Sequence, residues 1–162
     1  MQDYKRSVVI ADYDPYLRAA DITAHGATPV SFDELIEQSD YLVIQAPLTS
    51  RTQGLVGEAE LQRMKPSAVL INTARGPIVN DAALFRALSE GWIAGAGLDD
   101  IAEEPAKQRD WKPVNPLFSL NNVIITPHAA YYSEEAIRMV DYLKLLGRKP
   151  VTCGDVCARR EF

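Results

Sequence analysis

The 162-residue sequence has no apolar run longer than a strand requires, and it has only two cysteines. Without about 20 consecutive apolar residues, no membrane-spanning helix is expected. No apolar stretch of signal-peptide length follows Met1-Gln2-Asp3-Tyr4-Lys5-Arg6, so neither secretion nor membrane insertion is expected. Cys153 and Cys157 are spaced C-x3-C with no histidine near them in sequence. That pattern implies neither a disulfide framework nor a zinc site, and a reducing cytoplasm fits it best. Positive charge is sparse as well: 17 Lys and Arg face 22 Asp and Glu, for a net charge of −5, and basic residues stand at most in adjacent pairs. A nucleic-acid partner is not expected. None of the nine glycines forms a G-x-G-x-x-G turn, the usual cradle for a pyrophosphate.

With 47% hydrophobic and 24% charged residues, the chain has the makeup of one ordinary globular domain with a single core. Its most informative stretch runs from Val69 through Leu70-Ile71-Asn72-Thr73-Ala74-Arg75-Gly76-Pro77 to Asp81, followed after a helix by Ala94-Gly95-Ala96-Gly97-Leu98-Asp99. It reads as strand, tight polar turn, helix, strand. The apolar run ends in Asn-Thr-Ala-Arg-Gly, which places Arg75 just past the carboxyl end of a buried strand. Open α/β sheets bind ligands there, and a guanidinium in that place is aimed at an anion.

Taken in order, Ser7 to Ala11 reads as a buried strand that leaves through Asp12-Tyr13-Asp14-Pro15. Asp14 and Pro15 are either a simple turn or the acidic strand end that binds a ribose. Leu17 to Gly26 reads as a short helix, and Thr28-Pro29-Val30 as an edge strand, given its proline. Ser31-Phe32-Asp33-Glu34 has the Ser-x-x-Glu capping-box pattern. Tyr41 to Ile44 is the next buried strand, and Gln45 to Thr49 the loop beyond it. Leu61 and Met64 mark the inward face of a helix that Pro66 ends.

Asn80 or Asp81 caps a helix that carries Leu84 and Leu88 on one face and stops at Gly91. Gly95 and Gly97, inside a strand, signal close approach of another backbone or a ligand. Residues 106 to 122 form a polar loop anchored by Trp111, Leu117 and Phe118. Val123 to Ile125 is the last strand. Ser133 then caps a helix with Ile137, Val140 and Leu143 facing inward, ending at Gly147.

Three blocks, INTARGPIVND, GLDD with Glu-Glu-Pro, and TPHAAYYSEEA, together resemble the NAD-dependent D-2-hydroxyacid dehydrogenases, an oxidoreductase family, and the last is most similar to the C-terminal-binding-protein corepressor branch. The resemblance covers about Val8 to Val140. It implies an α/β fold: an incomplete Rossmann-like parallel sheet with helices on both faces, in a partial NAD-binding domain over residues 1–147 and a tail over 148–162. It implies NAD as cofactor and a small 2-hydroxy or 2-keto acid as substrate. Arg75 would clamp the carboxylate, His128 would carry the proton, and Glu104 would orient His128. Asp14 with Pro15, Pro47 and Thr52, the Thr73-Ala74 backbone and Asp99 would contact the cofactor, and Tyr131 would line the substrate pocket. Gln45 stands where many members have histidine.

Family members carry a separate substrate domain and a first strand with the glycine turn, and these residues begin at the second strand. The strands at Val8 and Tyr41 would then lie about 9 to 10 Å apart, twice the ordinary spacing. Either they pair directly, giving one six-stranded sheet in the order Thr28, Val8, Tyr41, Val69, Gly95, Val123, or a second chain makes a homodimer across the gap. Three readings follow: a dehydrogenase piece that is incomplete as a catalyst, a non-catalytic dinucleotide-binding or protein-interaction module, and an inactive remnant.

Overall fold

The computed structural model describes residues 8–102, 114–129, 133, 134 and 138. Its elements follow in the order β1 (Ala11–Asp12), α1 (Ala19–Ala24), β2 (Thr28–Pro29), α2 (Phe32–Gln38), β3 (Tyr41–Ile44), α3 (Glu58–Arg63), β4 (Val69–Asn72), α4 (Asp81–Ser89), β5 (Gly95–Leu98) and β6 (Val123–Ile125). The strands form parallel sheets with helical connections, a Rossmann-like α/β arrangement.

Local chemistry sets most element ends. Ser31 opens α2 with a full capping box: its amide donates to Glu34 Oε2 at 2.8 Å, and its hydroxyl accepts from the Glu34 amide at 3.2 Å. Of the two candidate caps for α4, Asn80 is the one used, its side chain accepting from the Ala83 amide at 2.9 Å. Gly26 and Gly91 follow α1 and α4 with φ of +83° and +74°, a backbone that side chains resist.

The four-stranded sheet is ordered β3-β4-β5-β6 and alternates between a covered and an open face. Leu42 pairs with Leu70, Leu70 with Ala96, and Asn72 with Leu98, so these residues share one face. Against it pack Ile36 of α2, Leu61 and Met64 at α3, and Leu84 and Leu88 of α4, all buried. Leu117 is a fully buried anchor as expected, whereas Phe118 is exposed. Trp111 lies outside the described residues, as do Ile137, Val140 and Leu143. Glu134 and Arg138 are helical and pair at 3.3 Å.

Three expectations are corrected. The strands at Val8 and Tyr41 do not pair: among the described residues β1 bonds only to β2, in a separate two-stranded sheet. β1 lies instead with β2 and beside α2: Tyr13, just past β1, meets the Phe32 ring of α2 at 5.6 Å, and Ile36 of α2 is part of the core. The segment leading into β1 is also not buried, with Val8 85% and Ile10 62% exposed, because the described residues place no strand along its free edge. β3 is buried on one face only, leaving Tyr41 70% exposed.

Candidate functional site

Every described candidate residue follows the carboxyl end of a strand. Asp14 and Pro15 follow β1, Pro47 and Thr52 follow β3, Thr73 to Arg75 follow β4, Asp99 follows β5, and His128 follows β6. Parallel pairing puts the last four groups at one edge of the larger sheet.

The β4 turn is built by Asn72, which is 1% exposed. Its side-chain amide donates to the Arg75 carbonyl at 2.8 Å, and its side-chain oxygen accepts from the Ala74 amide at 3.1 Å. This frame presents Arg75, whose guanidinium donates to the Ala74 carbonyl at 2.7 Å. Among the described residues Arg75 forms no ion pair. Gly76 is pressed against the chain leaving β5: a Cβ there would stand 2.3 Å from the Ile101 carbonyl carbon. Gln45 reaches the Thr73 hydroxyl only at 3.5 Å, the outer limit of a hydrogen bond.

Beyond β5, Asp99 is almost wholly buried. Its Oδ1 accepts from the Thr126 hydroxyl and from the Ala129 amide at 2.9 Å, and its own amide donates to the Asn72 carbonyl at 2.9 Å. His128 sits within the turn so held, with φ +52°; among the described residues it is the one non-glycine in that region.

Two adjoining shallow pockets, open to solvent, meet here and share Asp99, Thr126 and Pro127. One, of about 190 Å³, includes Asp100, Phe118 and His128 in its wall. The other, of about 370 Å³, is lined by Ile71, Thr73, Gly97 and Ile124 among others. Gly95 answers a neighbouring backbone, since a Cβ would lie 3.0 Å from the Asn122 carbonyl oxygen. At Gly97 a Cβ would meet nothing within 4 Å, and the bare backbone forms part of the cavity wall. A flat, partly polar ring suits such a place, so the residues present fit the nicotinamide end of a dinucleotide.

The remaining candidates stand apart from these cavities. Thr52 donates to the Pro47 carbonyl at 2.6 Å, stapling the loop after β3. Asp14 Oδ1 accepts from the Tyr16 amide at 2.8 Å, so its carboxylate helps form the turn that it occupies. Arg75 lines neither cavity. Glu104 and Tyr131 lie outside the described residues. Behind the site, burial pushes the Asp81 carboxyl up, against hydrogen bonds from Asn115 and the Ala102 backbone that pull it down.

Sequence reasoning gave no role to Asn72 or Thr126, and gave Phe118 only that of a loop anchor, whereas it forms part of a pocket wall. Asn72 alone left a local signal, since an asparagine at a strand end commonly bonds the turn that follows it. Among the described residues, no helix is long and apolar enough to cross a membrane, and no His, Cys, Asp and Glu group is arranged to hold a metal ion.

Comparison with known proteins agrees with this geometry. The family model for the D-isomer specific 2-hydroxyacid dehydrogenase NAD binding domain matches residues 6–130. Glyoxylate reductases of Korarchaeum cryptofilum and Thermococcus litoralis are 46% and 47% identical over 110 and 111 residues, in each case 68% of this chain and 32% of the relative. The NAD-complexed D-isomer specific 2-hydroxyacid dehydrogenase of Lactobacillus delbrueckii ssp. bulgaricus superposes with a TM-score of 0.74 at 34% identity, covering 88% of this chain and 47% of that one. D-lactate dehydrogenase with NAD+ from Lactobacillus jensenii gives 0.73 at 31%, covering 83% and 45%. The chain thus spans about a third of the length of these curated relatives. The assignment reaches the family and not the corepressor branch suggested by the TPHAAYYSEEA block. The chain belongs to the D-isomer specific 2-hydroxyacid dehydrogenase family, as its NAD-binding domain.

Proposed function

We propose that this chain supplies the cofactor half of an NAD-dependent dehydrogenase acting on a small 2-hydroxy or 2-keto acid. The supporting observation is the common placement of the β4, β5 and β6 turns at one sheet edge, with Asp99 and the His128 turn walling two adjoining cavities. NAD, when bound, supplies or takes the hydride. Arg75 holds the substrate carboxylate through its two-pronged guanidinium. His128 gives a proton to the carbonyl oxygen in reduction and takes it from the hydroxyl in oxidation. Glu104 orients the imidazole, and Tyr131 lines the substrate pocket. Asp99 and the Thr73-Ala74 backbone hold the carboxamide, Pro47 and Thr52 run along the cofactor, and Asp14 with Pro15 takes the ribose.

In the same reading the protein is cytoplasmic and works as a homodimer. Among the described residues one edge each of β1 and β3 has no strand beside it, which favours a second reading, in which the domain binds a dinucleotide or a protein without turnover.

An NADH titration, followed by energy transfer from Trp92 and Trp111, tests both. Saturable micromolar binding with keto-acid-dependent NADH oxidation is the expected result. Binding without oxidation selects the second reading, and no binding at millimolar NADH overturns both.

A further inference from the structure

We infer that Asp99, acting through Thr126 and Ala129, is a positioning residue that fixes the ring of His128. The inference rests on the reading of His128 as the proton carrier. His128 has a left-handed backbone that residues with a Cβ resist, so the turn persists only if its surroundings impose it. A single carboxylate oxygen does so. Asp99 Oδ1 accepts from the hydroxyl two residues before His128 and from the amide one residue after it. Within that span the His128 amide donates to the Thr126 carbonyl at 2.9 Å, closing a tight turn.

Asp99 is a firm anchor for this turn. It is 4% exposed, its amide is tied to β4 through the Asn72 carbonyl at 2.9 Å, and the Thr126 amide is tied to β5 through Leu98 at 2.9 Å. A carboxylate oxygen suits the task because its two lone pairs let it accept from two donors at once. Cofactor contact alone would not call for Oδ1 to be committed to the chain's own turn. The same oxygen therefore links the shape of the cavity wall to the direction of the imidazole.

Histidine-ring NMR on the unliganded protein tests this without cofactor or substrate. The chain has two histidines, and His25, at the end of α1 with Nδ1 2.7 Å from the Asp21 carbonyl, is the internal reference. Thr126→Val removes the hydroxyl and keeps the shape, and Asp99→Ala removes the anchor. Both are expected to shift and broaden the His128 ring signals while His25 stays in place. Asp99→Ala should also speed exchange of the Ala129 amide by about tenfold or more. Thr126→Ser, which restores the donor, should return the wild-type His128 signals. Unchanged His128 signals in Thr126→Val, or no recovery in Thr126→Ser, would overturn the inference. Should Asp99→Ala fail to fold, the Thr126 pair decides alone. Failure of NADH to bind would sink the dehydrogenase reading and leave these signals unaffected, so the two failures are distinguishable.

Discussion

The backbone amide of Asp99 donates to the carbonyl of Asn72 at 2.9 Å, tying the end of β5 to the end of β4 where both strands leave the sheet. The Asn72 side chain shapes the turn that carries Arg75, and the Asp99 side chain shapes the turn that carries His128. One ladder bond thus couples the two turns to which the proposed chemistry is assigned.

Replacing Asn72 with alanine strips partners from the Arg75 carbonyl and the Ala74 amide in a buried place. The expected loss is about 1–3 kcal/mol. Urea unfolding should show a lower midpoint with an unchanged slope.

Gly76→Ala forces a methyl group into the backbone at Ile101 and Ala102. Neither side is a flexible side-chain end, so the turn or the strand exit must move, at about 1–3 kcal/mol. A fall in melting temperature joined to weaker NADH binding is expected. Wild-type values for both would mean that the turn relaxes freely.

At the start of α4, Asn80→Ala should cost about 1 kcal/mol, whereas Asn80→Asp should be close to neutral because aspartate caps as well. Thermal unfolding of the two variants separates a cap at Asn80 from one at Asp81.

The Asp81 carboxyl is raised by burial, so the folded chain keeps this proton to higher pH than the unfolded chain does. The associated stability is full below the ordinary carboxylate value and is lost as pH rises through the raised value. Asp81→Asn should flatten that part of the melting-temperature profile between the two values. An identical profile in the variant would rule out the assignment.

Asp14→Ala should weaken NADH binding by about tenfold, the scale of a hydrogen bond to a charged group. It should weaken NADPH less, since a carboxylate at that place repels the extra phosphate. Fluorescence titration with both cofactors gives the ratio.

Much of this arrangement was legible in the sequence because it depends on residues within about four positions of one another. The Ser31–Glu34 box, the glycine stops at Gly26 and Gly91, and the inward faces at Leu61 with Met64 and Leu84 with Leu88 are of that kind. The end of the strand at Val69 could be read as well and points to Arg75, while the roles of Asp99 and His128 follow from the resemblance to the family. Burial was misjudged at Val8 to Ile10, because an apolar run reports its own chemistry and not whether a neighbour covers it.

By itself the sequence determined the order of parallel strands and helices, the chemistry available at each strand end and the family. Tertiary structure alone decided the close packing of Gly76 against Ile101, the sharing of one Asp99 oxygen by Thr126 and Ala129, and the separation of β1 from β3. The first two join segments more than 20 residues apart, which only folding brings within hydrogen-bond or van der Waals reach, and the third depends on which distant strands folding places side by side.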